Sequence, residues 1–112
     1  MSACIELARR LGKAIADSPQ AEALRVARVE LDANPDLGKT LNDYQQQAEK
    51  IEQLEEEQKP VEIEDKRRLQ ELNDRLVGSE VFKRFTAAQV EYIDLMRKVN
   101  EALQAELAET EG

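Results

Sequence analysis

Apolar residues recur at three- and four-residue spacing along almost the whole chain, and interruptions of that rhythm divide it into five predicted helices. Ile5, Ala8, Leu11, Gly12 and Ile15 mark one face of a short first helix, about Ser2 to Ala16. Ala23, Leu24, Ala27 and Leu31, with Val26 beside them, mark a second that begins at Pro19. The third carries Leu37, Leu41, Tyr44, Ala48, Ile51 and either Leu54 or Glu55, a heptad-type seam. Leu69, Leu72 and Leu76 define the fourth, with Ile63 or Lys66 at its start. The fifth is the longest, from Glu80 to about Ala108. Its regular seam is Phe85, Ala88, Tyr92, Leu95, Val99 and Ala102, broadened by Val81, Phe82, Met96, Leu103 and Leu107. A stripe this wide serves two neighbours at once.

The breaks carry their own chemistry. Ser18 is placed to cap the second helix, with Pro19 at the first helical position, where a missing N–H costs nothing. Asn34-Pro35-Asp36 repeats that logic for the third and adds an acid at the positive end of the helix dipole. Pro60 ends the third helix, because it cannot continue the hydrogen-bond ladder and turns Lys59 away from helical geometry. Gly78 is expected to close the fourth helix in a left-handed conformation, and Ser79 to cap the fifth. The short link between helices three and four predicts an antiparallel hairpin whose acidic tip, Glu55 to Asp65, projects into solvent. The acidic tail beyond Leu107 is expected to fray. Gly12, on an apolar face, is expected to let a neighbouring helix approach closely. Setting Ser18 on Ser79 also sets Leu11 on Leu72, Ile15 on Leu76, Leu24 on Phe85, Ala27 on Ala88 and Leu31 on Tyr92. A duplication and the coincidences of helical periodicity both produce such matches.

The 112 residues make one domain, and the core they build is thin. Hydrophobic residues are 41% of the chain and charged residues 36%, with two Phe, two Tyr and no Trp. Stabilisation by a partner chain follows from that shortage. The net charge of −8 is shared about equally by both halves and repels nucleic acid and anionic membranes, so neither is an expected partner. The start is read as carrying no signal peptide, since Glu6, Arg9 and Arg10 interrupt it, and no run is long enough to span a membrane. The expected location is cytoplasmic.

Little catalytic chemistry is available. With no histidine, the commonest general base and metal ligand and every Ser–His or Cys–His nucleophile are missing. The glycines stand singly, so there is no phosphate loop. Cys4, the one cysteine, reads either as a reactive thiol or as a small apolar residue of the first helix, and the second reading is preferred. Among many acids, Glu91, beside the long seam, is the one to watch, and an exposed ion pair with Arg84 or Lys98 is its expected use. No catalytic residue, cofactor or metal is expected.

These readings give an all-α fold of about five helices: an antiparallel hairpin plus a long C-terminal helix, in a bundle completed by dimerisation. The expected dimer or partner interface comprises Phe85, Ala88, Tyr92, Leu95 and Val99 of the fifth helix and Leu41, Tyr44 and Ile51 of the third, two seams that compete for the pairing between copies. Function then lies in binding, either as a homodimeric adaptor that regulates a protein partner or as a coiled-coil hairpin holdase.

Several of the same residues resemble the YlbF/YmcA family of small bacterial helical proteins, which includes the YheA branch. They are Ala8, Leu11, Gly12, Ile15 and Ser18, then Ala27, Leu31, Asn34, Pro35 and Leu37, and near the end Val81, Phe85, Ala88, Glu91, Tyr92, Leu95, Met96, Val99 and Asn100. The resemblance implies an all-α, usually dimeric accessory regulator without enzymatic activity. In spore-forming bacteria such proteins join a complex that affects competence, sporulation and biofilm formation and is linked to mRNA processing by a membrane-anchored endoribonuclease. Some carry C-terminal cysteines that help hold an iron–sulfur cluster. Here the single cysteine lies near the other end, so the resemblance supports no cluster.

Overall fold

The computed structural model describes residues 2–111, with side chains for residues 2–109. Five helices follow in order: α1 (Ala3–Ala16), α2 (Pro19–Asp32), α3 (Pro35–Glu56), α4 (Ile63–Val77) and α5 (Glu80–Glu111). No strand occurs among the described residues. α5 runs past its expected end at Ala108, and Gly112, the last residue of the acidic tail, lies outside the described residues.

The three predicted caps form. The Ser18 hydroxyl accepts from the N–H of Ala21 at 3.1 Å, the Asn34 side chain from that of Leu37 at 3.2 Å, and the Ser79 hydroxyl from that of Phe82 at 3.2 Å. Gly78 departs from expectation. It holds right-handed angles, φ −80° and ψ −11°, and its N–H bonds the carbonyl of Asp74. A Cβ there would lie a tight 3.2 Å from the Asp74 carbonyl oxygen. The left-handed residue is Gln58, at φ 58° just beyond α3. Around it the N–H of Lys59 bonds the carbonyl of Leu54 at 2.8 Å and that of Gln58 bonds Glu55 at 3.1 Å, a Schellman closure. The chain has therefore turned out of α3 before Pro60 is reached.

Contacts group the residues into two compact units, divided within α2 and within α5. One comprises residues 29–84 and is built on the α3–α4 hairpin. Its helices are antiparallel, because Asp43 meets Arg68 while Lys50, later on α3, meets Asp65, earlier on α4. Leu31, Leu37, Leu72 and Leu76 are buried in this unit, Leu72 at 1% exposure. Arg84 donates from Nε and Nη2 to one carboxylate oxygen of Glu30, at 3.1 and 3.0 Å. The hairpin tip is exposed as expected through Pro60, but Val61 and Asp65 are half-buried.

The other unit contains α1, α2 through Arg28, and α5 from Phe85 on. Ala21, Ala27, Phe85 and Ala88 are buried there. The Arg28 guanidinium lies 5.4 Å above the Phe85 ring, an exposed cation covering the core's largest side chain. α1 contributes no buried residue.

Candidate functional site

No group of three or more His, Cys, Asp or Glu side chains is placed to hold a metal ion among the described residues. No buried side-chain nitrogen or oxygen among them lacks a hydrogen-bond partner. The features that remain are faces.

On the fifth helix the expected interface residues divide by depth. Phe85 and Ala88 are buried in the core of the chain itself, whereas Tyr92, Leu95 and Val99 are half-buried. Tyr92 lines a shallow hollow with Ala21, Leu24, Arg25 and Arg28, of which Arg25 donates to Glu22 and to the carbonyl of Ala16. Further along the same stripe Leu103 and Leu107 are 49% and 55% exposed, and Ile93 on its flank is 59% exposed. Ile93, Met96, Asn100 and Gln104 border an open, largely apolar hollow, with Arg97 and Glu101 at its edge. The seam therefore begins in the core and continues onto uncovered helix. At 32 residues α5 is more than twice as long as α1 or α2, each of 14 residues.

Ionic groups pair along that segment of α5. Arg97 bridges Asp94 and Glu101, meeting Glu101 at 2.7 Å, while Lys98 meets Asp94 at 3.0 Å. The hydrogen bond from Arg97, followed by that from Lys98, holds the Asp94 carboxyl below the usual carboxylate range, and the same bond to Asp94 raises Arg97. Glu91 is exposed, but its expected partners are engaged elsewhere, Arg84 with Glu30 and Lys98 with Asp94.

The expected residues of the third helix lie in the hairpin unit. Leu41, Tyr44 and Ile51 are half-buried, and Tyr44 and Ile51 border a hollow with Leu69, Glu55, Lys66, Gln70 and Asn73. On another side of the hairpin Lys50 donates to Asp65 at 2.9 Å, and Gln47 donates to the Asp65 carbonyl at 3.0 Å. The hydrogen bond from Lys50 is the main cause that lowers the Asp65 carboxyl, and the reciprocal bond raises Lys50.

The face that the sequence reading left without a role is α1. Ile5 is 54% and Leu7 60% exposed, and Leu11 and Ile15 are half-buried. Cys4, preferred as a buried small residue, is exposed. Gly12 does not serve close approach within the chain, since a Cβ there would meet nothing within 4 Å. The signal was present in the sequence: at 3.6 residues per turn, Glu6, Arg9, Arg10 and Lys13 share one side and Cys4, Leu7, Ala8, Leu11 and Ile15 the other.

A family model described as "Control of competence regulator ComK, YlbF/YmcA" matches residues 4–108, nearly the full length. No curated protein matches the chain.

Proposed function

The chain belongs to the YlbF/YmcA family, whose description is competence control, and from that premise we propose that it is a non-catalytic regulatory adaptor, acting as a homodimer on a protein partner. The observation that carries this reading is the α5 seam, which leaves the core at Phe85 and Ala88 and passes through Tyr92, Leu95 and Val99 to exposed Leu103 and Leu107. A second apolar surface laid along those residues removes them from water and supplies the core that the chain alone lacks. The half-buried Leu41, Tyr44 and Ile51 offer a separate face to a regulated partner. The net charge of −8 favours a protein over nucleic acid in that role. By resemblance, the regulated process is a developmental pathway or mRNA processing.

Light scattering tests the dimer. A mass twice that of the chain is expected at micromolar concentration, and Leu103→Asp is expected to yield a helical monomer, because it places a charge on the seam at a position where one copy leaves it solvated. A wild-type monomer would overturn the reading. In the native host, loss of the chain should change competence-gene expression, with Leu103→Asp failing to restore it at normal protein levels.

A further inference from the structure

We draw no further inference here: the strongest candidate, the apolar surface left uncovered on α1 and on the distal half of α5, where Leu7, Ile93, Leu103 and Leu107 are exposed, carries nothing because nothing in the structure shows what covers it.

Discussion

Ser18 and Ser79 close two helix breaks with the same set of bonds. Each hydroxyl accepts from the N–H three residues on, and each carbonyl from the N–H four residues on, Glu22 at 3.1 Å and Lys83 at 3.0 Å. Each serine N–H bonds the carbonyl three residues back, Ile15 at 3.1 Å and Leu76 at 3.0 Å, and the residue before it bonds four back. The correspondence holds although Asp17 stands where the second break has Gly78.

Ser18→Ala and Ser79→Ala should each destabilise the fold by about 1 kcal/mol, because an N-cap oxygen satisfies a helix-end donor that alanine leaves open. Ser18→Ala should be the costlier, since its hydroxyl also donates to the Ile15 carbonyl at 2.6 Å. Urea unfolding of the two variants gives the comparison; equal and negligible losses would mean that water caps these ends as well as serine does.

Gln58→Gly should stabilise the hairpin by about 1 kcal/mol. Gln58 holds φ 58°, where an L side chain crowds the backbone and glycine does not. Part of the gain is offset by the greater freedom of glycine in the unfolded chain. A rise in the urea midpoint at unchanged m-value is the expected result, and a fall would show that the side chain contributes more than its strain costs.

Helices and caps were legible because each depends on neighbours in the sequence. Ser18, Asn34 and Ser79 needed only the apolar run that follows them, and the separate stripes through Leu37 on α3 and Leu72 on α4 needed only their spacing. Gln58 was hidden because nothing in its side chain favours a left-handed backbone; the closure comes from the bonds of Lys59 and Gln58 to the last turn of α3. Depth was the other gap. Periodicity places Phe85 and Leu103 on one stripe, yet one is buried and the other half-exposed, because burial depends on tertiary packing that spacing along one helix does not state. The openness of α1 has the same origin: an amphipathic pattern states that a face seeks cover without stating whether the same chain supplies it.

Leu72→Ala and Gly12→Ala should move stability in opposite directions. Leu72 is the most deeply buried large side chain among the described residues, and its truncation should cost about 3 kcal/mol by lost transfer and a residual cavity. Gly12→Ala meets open space within the chain and should strengthen α1 by up to about 1 kcal/mol through helix propensity. Both are read as shifts in thermal midpoint at a concentration low enough to dissociate any dimer.

The hairpin should lose a stabilising contact in acid. Asp65 accepts from Lys50, and that bond lowers its carboxyl below the value of about 3.9 expected in the unfolded chain. A depressed carboxyl stabilises the fold fully above its unfolded value, and the gain disappears as pH falls through the folded one. Lys50, raised by the same bond, places the alkaline loss above its ordinary range near 10.4. The pair should therefore act undiminished from about pH 5 to 10. Because Lys50 is largely exposed, its contribution is small and weakens with salt. Lys50→Met should narrow the stability difference between pH 7 and pH 3 relative to the wild type, measured by urea unfolding at low ionic strength. A difference that is the same in both chains would show that the bond adds nothing to the fold. Asp65→Asn completes the comparison, as it removes the titrating group and keeps a side chain of nearly the same shape, and it should flatten the acid limb in the same way.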